Sequence, residues 1–295
     1  MNHTTEMAYK ILKSVLGSDD RTIVLLGSSG VGIVEDLSME YPGRFVDVGI
    51  MEQSIVGMSS GMAIAGMIPI IYGQSSFFIE RAYEQLKVDF GYQRVGGNFI
   101  LYGGSTEFGT MGATHCCPAA LALLSEIPGF EVVVPGSPKE FYSLFMETYD
   151  NGNPTVYRTS IFANSYEQSV QFGKANIIKR GSKATILAIG PMLDIALSVF
   201  TDEDVTILYY STIVPFDGKI LRENLENNRL LLLEPAYQGG IMHIIAKTLE
   251  GCMYKVDFIG YPLEFITNYG YVVDNLSLYG MTKEAIIYKY HRLIA

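Results

Sequence analysis

Short β-branched and apolar runs recur through the first half of the chain. They are TIVLLG (22–27), RFVDVG (44–49), MIPIIYG (67–73), NFILYGG (98–104), FEVVVPG (130–136) and PTVYRTS (154–160), with helical patterns between them. Strands alternating with helices predict a parallel sheet. The alternation breaks at the polar, glycine-bearing stretch ANSYEQSVQFGKANIIKRGSK (163–183) and restarts with ATILAIG, VTILYYS, RLLLLEPAYQGG and KVDFIGYP. This pattern predicts an α/β chain of two parallel or mostly parallel sheet domains, at 1–165 and 181–295, joined by a linker over 166–180. The second unit, about 115 residues, has the size of a small α/β domain. No low-complexity segment or short-period repeat interrupts the pattern.

With 295 residues, 48% of them hydrophobic and 18% charged, the chain has ample material for packed cores. Its net charge of -10 and pI near 4.9 argue against non-specific binding to nucleic acid or to an anionic membrane surface. The N-terminal MNHTTEMAYKILKSVLG lacks the basic flank and continuous apolar core of a signal peptide. No apolar run approaches the roughly 20 residues that span a bilayer, so the expected location is the cytoplasm. Cys116, Cys117 and Cys252 show no paired CxxC spacing, which leaves neither a disulfide framework nor a structural zinc site to expect.

Four stretches carry candidate chemistry. GSSGVG (27–32) follows a strand as phosphate-cradling loops do, but Gly27, Gly30 and Gly32 have the spacing of neither standard nucleotide loop, which favours a tight strand-to-helix turn. GIMEQ (49–53) places Glu52 at a helix start, where the dipole already favours a carboxylate. Behind it, Gly57, Ser59, Ser60, Gly61, Ala63, Ala65 and Gly66 leave little side chain to keep a neighbouring backbone away, so this helix is expected to pack closely, between subunits. Desolvation there favours the protonated form of Glu52. SSFFIERAYEQLK (75–87) sets Phe77 and Phe78 at a strand-to-helix junction; core packing is their default role, and one exposed ring would stack on a flat heteroaromatic ligand. GTMGATHCC (109–117) delivers His115 on a glycine-rich loop.

In order and spacing, RFVDVGIMEQ, GMAIAGMIPI, FFIERAYEQ, GATH, IPGFEVVVPGSPKE and PTVYR resemble the pyrimidine-binding domain of the transketolase family. GSKATILAIGPMLDIAL, VPFDGK, LLLLEPAYQGG and GYVVDNLSLYGMTKEAI are similar to that family's C-terminal domain, so the resemblance spans nearly the whole chain. It implies thiamine diphosphate as cofactor, with Glu52 hydrogen-bonded to N1′ of the aminopyrimidine and promoting the imino tautomer that deprotonates C2 of the thiazolium. It places Phe78 against the pyrimidine, with Phe77 and Ser75 beside it, and turns His115 toward the substrate. Arg81, Gln74 and Ser75 are expected to line the mouth of the pocket. Full-length members bind magnesium and the diphosphate through a GDG motif, which is missing here. The implied partner is therefore an N-terminal subunit carrying that domain and its Mg2+, in an α2β2 complex, with no metal held by this chain.

Two departures bear on the substrate. Where sugar-phosphate members have an aspartate before the histidine loop this chain has Met111, a poor hydrogen-bond acceptor. Where they present a phosphate-binding arginine this chain has Ile161, with Arg158 nearby as a substitute. Glu107 is a further pocket candidate, against a plain loop charge. The expected activity is transfer of a two-carbon or related acyl-anion unit between small carbonyl substrates. Its rivals are the beta subunit of a 2-oxoacid dehydrogenase or decarboxylase, and a structural subunit without chemistry.

Overall fold

The computed structural model describes residues 3–28 and 31–295, with the backbone but not the side chains of 31–35. The first half runs α1 (His3–Ser18), β1 (Thr22–Leu26), α2 (Val31–Glu40), β2 (Phe45–Asp47), α3 (Glu52–Ile64) and β3 (Ile68–Gln74). A helical segment of two wide π turns, Ser76–Arg81 and Leu86–Tyr92, follows, joined by the single turn α4 (Tyr83–Gln85). Then come β4 (Gly97–Tyr102), α5 (Ala120–Ser125), β5 (Glu131–Val133), α6 (Pro138–Thr148) and β6 (Pro154–Thr159). The second half runs β7 (Ala175–Lys179), β8 (Thr185–Ile189), α7 (Leu193–Val199), β9 (Thr206–Tyr210), β10 (Thr212–Val214), α8 (Gly218–Glu223), β11 (Arg229–Tyr237), α9 (Met242–Thr248), β12 (Lys255–Tyr261), α10 (Val272–Leu278) and α11 (Lys283–Ile294).

Among the described residues the strands form two sheets, one in the order β10-β5-β6-β4-β3-β1-β2 and one in the order β12-β11-β8-β9-β7. All pairings are parallel except β10 with β5 and β7 with β9. Every residue of β1, β3, β8 and β9 is buried, as expected for parallel strands covered on both faces. Helix α1 turns Ala8, Ile11, Leu12, Val15 and Leu16 inward at three- and four-residue spacing. Helix α6 starts where Ser137 Oγ accepts the Glu140 N–H and Pro138 fills the first turn.

Neither β7 nor β10 was legible as a strand in the sequence, and β7 lies inside the stretch that reads as a linker. Both are short antiparallel edge strands, and β7 is only half buried along its length, so its apolar signal is weak. One hydrophobic cluster runs from Leu25, Ile71 and Phe99 of the first sheet to Leu187, Leu208 and Leu232 of the second, so the halves share a core.

The parallel register brings the strand ends Leu26, Asp47, Gln74 and Tyr102 to one edge, where open α/β sheets bind ligands. Gly73 near that edge is dictated by packing: a Cβ there would lie 2.1 Å from the Phe78 ring, itself 1% exposed. In the second sheet, Glu234 is fully buried and accepts the N–H groups of Gly239 and Ile241, closing the AYQGG turn.

Gly73→Ala should therefore cost about 1–3 kcal/mol of stability by overpacking. Gly61→Ala, in open space on α3, should be neutral or stabilising by up to about 1 kcal/mol. Urea unfolding of the two variants checks the contrast. Burial pushes the Glu234 carboxyl from 4.5 to about 8, so the folded chain keeps a proton that the unfolded chain releases. That contribution is complete below about pH 4.5 and is lost as pH rises through about 8. The stability difference between the parent chain and Glu234→Gln, followed by urea titration, should shift toward the variant across that window.

Candidate active site

Glu52 is presented by a braced turn. The Asp47 carboxylate at the end of β2 accepts the N–H groups of Ser28 at 2.8 Å and Gly49 at 3.0 Å. Gly49 has φ +87°, a left-handed conformation that glycine adopts without strain. Glu52 then opens α3, where its charge meets the positive end of the helix dipole. It is 4% exposed.

A cation meets it there. Arg81 Nη1 donates to Glu52 Oε2 at 2.7 Å, and the guanidinium lies over the Phe77 ring, 4.7 Å from its centroid. Phe77 meets the His115 imidazole edge to face at 5.2 Å. His115 is fixed from two sides: Thr114 Oγ1 lies 2.9 Å from Nδ1, and Gln74 Nε2 donates to the His115 carbonyl at 3.1 Å. Glu52, Arg81, Phe77 and His115 thus form a continuous chain of contacts along the carboxyl edge of the first sheet. Burying a lone carboxylate costs several kcal/mol, and the guanidinium offsets that cost. The sequence reading had desolvation without this partner.

The structure separates the other candidates. Phe78 is 1% exposed and packs in the core beside Gly73 and Gly27, so the ring that meets Arg81 and His115 is Phe77, not Phe78. The π turn over Ser76–Arg81 rotates Phe77 outward and Phe78 inward. Ser75 and Ser76 lie beneath, their hydroxyls buried without partners. Met111 is 55% exposed on the same loop as His115.

Arg158 does not reach this cluster, contrary to its expected place in a substrate pocket. Its strand, β6, lies between β4 and β5, and its side chain is fully buried. Nε donates to the Gly104 carbonyl at 3.1 Å, and Nη2 donates to Ser105 Oγ and the Pro235 carbonyl, both at 2.5 Å. Burial pulls its pKa below the usual arginine value. Glu107 is not a plain surface charge, since its carboxylate accepts the Ser105 N–H at 2.7 Å. Of the GSSGVG loop, Ser29 and Gly30 lie outside the described residues.

Sequence reasoning missed Asp47, Thr114 and the contact of Cys117 Sγ with Glu80 Oε1 at 3.6 Å. Asp47 carried a usable signal, an aspartate at a strand end just before the glycine of the GIMEQ turn.

The residues present fit half of a thiamine diphosphate site. A buried carboxylate and a partly buried aromatic ring beside it suit an aminopyrimidine. Among the described residues no group of three or more His, Cys, Asp or Glu side chains is placed to hold a metal ion. No described helix is long and apolar enough to cross a membrane.

Residues 2–161 match the family described as "Transketolase, pyrimidine binding domain". The chain is 29% identical over 286 residues to one subunit of the apulose-4-phosphate transketolase of Phocaeicola vulgatus, covering 92% of this chain and 91% of that protein. It is 30% identical over 246 residues to 1-deoxy-D-xylulose-5-phosphate synthase of Histophilus somni, covering 80% of this chain but 39% of that longer protein. Among solved structures it shares the fold of a split gene transketolase, an inactive beta4 tetramer, with a TM-score of 0.85 at 21% identity over 99% of this chain and 97% of that one.

If Arg158 is an internal tie, Arg158→Met should cost about 3–5 kcal/mol, because its carbonyl partners lose their donors. Chemical denaturation measures that loss; an unchanged midpoint would make Arg158 a ligand-binding candidate again.

Proposed function

Since the chain belongs to the transketolase pyrimidine-binding-domain family, we propose that it is the C-terminal subunit of a split, thiamine-diphosphate-dependent transketolase. It transfers a two-carbon or related acyl-anion unit between small carbonyl substrates. The single observation that carries this reading is the buried Glu52 at a helix N-terminus, joined through Arg81 and Phe77 to His115.

Bound at this edge, thiamine diphosphate supplies the carbanion chemistry that no amino-acid side chain provides. Glu52 holds the proton at N1′ of the aminopyrimidine and so controls which tautomer the ring adopts. Phe77 packs against the ring and keeps water from the carboxylate. His115, whose Nδ1 faces Thr114, uses Nε2 to give or take a proton at the substrate carbonyl oxygen. Arg81 keeps Glu52 in place with one nitrogen, while its side chain, 43% exposed, has donors left for an oxygen of the substrate.

The reading requires a partner. The diphosphate and its Mg2+ belong to a separate N-terminal subunit, and the working complex is α2β2. Two findings support this: a relative of matching length is named as one subunit of a transketolase, and the tetramer of beta chains that shares this fold is described as inactive. The outward face of α3, where Ser54, Gly61 and Ala65 are exposed, offers the close approach a chain–chain contact needs. The cytoplasm is its proposed location.

Glu52→Gln tests the role directly. In the complex reconstituted with the partner subunit, turnover should fall by about 10²–10⁴-fold, while sedimentation shows assembly intact. Turnover within a few-fold of the parent enzyme would remove Glu52 from the chemistry. Calorimetry on the chain without its partner should show little thiamine diphosphate binding, and tight binding there would sink the half-site reading.

A further inference from the structure

The second half of the chain reaches the His115 loop through a side chain that the proposed chemistry does not use. Between the buried Ile266 and helix α10 the backbone turns through Asn268, Tyr269 and Gly270. The turn is anchored downstream, where the Tyr271 N–H donates to Asp274 Oδ2 at 2.9 Å. Tyr269 has φ +50°, a left-handed conformation that a bulky side chain rarely adopts. Burial of its ring does not account for it, since Tyr269 is 66% exposed. Backbone held in so sparse a region persists where the surroundings impose it, and such positions gather at functional sites.

What lies against Tyr269 is the loop that carries His115. A Cβ on Gly112 would lie 2.9 Å from Tyr269 Cε1 and 3.2 Å from Cζ, so the ring edge rests on the bare backbone of that glycine. Gly112 is itself left-handed, at φ +85°. Three residues earlier the second half makes a similar contact: a Cβ on Gly109 would lie 2.6 Å from Asn275 Nδ2 and 2.7 Å from the Gly270 carbonyl oxygen. Asn275 is fully buried and its amide has no hydrogen-bond partner, so what it brings to Gly109 is bulk. Both glycines of GTMGATH are therefore points where the second half comes in close.

Gly112 passes that contact on. Its carbonyl accepts the His115 N–H at 3.1 Å, and it opens the single tight turn Ala113–His115. A shift of Gly112 is carried to the imidazole, which Thr114 and Phe77 meet from its other sides. Misplacing a reacting group by about 1 Å is enough to cost about a hundredfold in rate.

We propose that Tyr269 is a positioning residue for His115: its ring, presented by a strained turn of the second half, sets the resting place of Gly112 and through it the aim of the imidazole. Tyr269 acts through the backbone of the loop, not by contact with the reacting atoms. The assignment rests on the proposed role of His115 at the substrate carbonyl, and it makes the second half a working part of the site.

Substitutions of Tyr269 test it in the complex reconstituted with the partner subunit, supplied with hydroxypyruvate as two-carbon donor and glycolaldehyde as acceptor. Tyr269→Gly should lower kcat by about 10–100-fold while the KM for thiamine diphosphate stays unchanged. Tyr269→Phe keeps the ring edge and should stay within a few-fold of the parent kcat. Urea unfolding of the full chain gives a readout that needs no turnover. Because glycine adopts φ +50° freely and the lost ring is largely exposed, Tyr269→Gly should unfold at no lower urea concentration than the parent, and at a higher one than Tyr269→Ala. A kcat for Tyr269→Gly close to that of the parent would overturn the proposal. So would a midpoint well below the parent's, which would make Tyr269 ordinary packing, or an equal loss of kcat in Tyr269→Phe, which would move the role to the hydroxyl. Glu52→Gln in the same assay separates the two readings: if it collapses turnover while Tyr269→Gly does not, the role of Tyr269 alone falls. If Glu52→Gln turns over like the parent, or the parent complex transfers no two-carbon unit, the reading of the site falls and this assignment with it.

Discussion

A guanidinium without access to water holds the centre of the molecule together. Arg158 rises from β6 and gathers the carbonyl of Gly104 and the hydroxyl of Ser105 from the first half and the carbonyl of Pro235 from the second. A charge in that position is expensive to desolvate; Nε and Nη2 meet these acceptors, while Nη1 is buried without a partner. Gly104 must be glycine for the same reason, since a Cβ there would lie 2.5 Å from the Arg158 Nε. The loop anchored in this way is the one that carries Glu107 and, further on, His115. A second seam bond, from the Tyr209 hydroxyl to Glu140 Oε2 at 2.5 Å, ties β9 to α6, and burial raises the pKa of Glu140.

That internal frame lets the exposed chemistry be sparse. Glu52, Arg81, Phe77 and His115 come from three different segments, yet each is positioned by backbone geometry behind it. The Asp47 brace sets Glu52, the π turn sets Phe77 and Arg81, and Gln74 holds the carbonyl of His115. The ion pair of Arg81 and Glu52 combines a nearly buried carboxylate with a cation that is 43% exposed, so it is screened on one side only. A cofactor ring entering this edge would exchange a wet contact for a dry one.

Much of this was legible in the sequence because parallel strands leave a strong mark. Runs such as IVLLG and MIPIIYG are nearly continuous in apolar residues, as expected of strands covered on both faces. Edge strands leave little mark: Ala175–Lys179 mixes polar and apolar positions, and Thr212–Val214 is too short to show a period. At the site, the residue types were readable but their facing was not. Phe77 and Phe78 are adjacent and identical, and only the wide turn decides which ring points out. Arg158 reads as a substitute phosphate ligand in the sequence, and only the strand order shows it enclosed. Arg81 as the partner of Glu52 depends on a contact spanning 29 positions, which no local pattern encodes.

Strand β10 has a further consequence. Though it follows β9 in the chain, it pairs antiparallel with β5 and becomes the outer strand of the other sheet. Without it, β5 would present open N–H and C=O groups to any neighbouring strand. The second half therefore acts as a built-in guard against sticky edge-to-edge association, and a fragment cut after β6 would expose that unguarded border even if its own core closed.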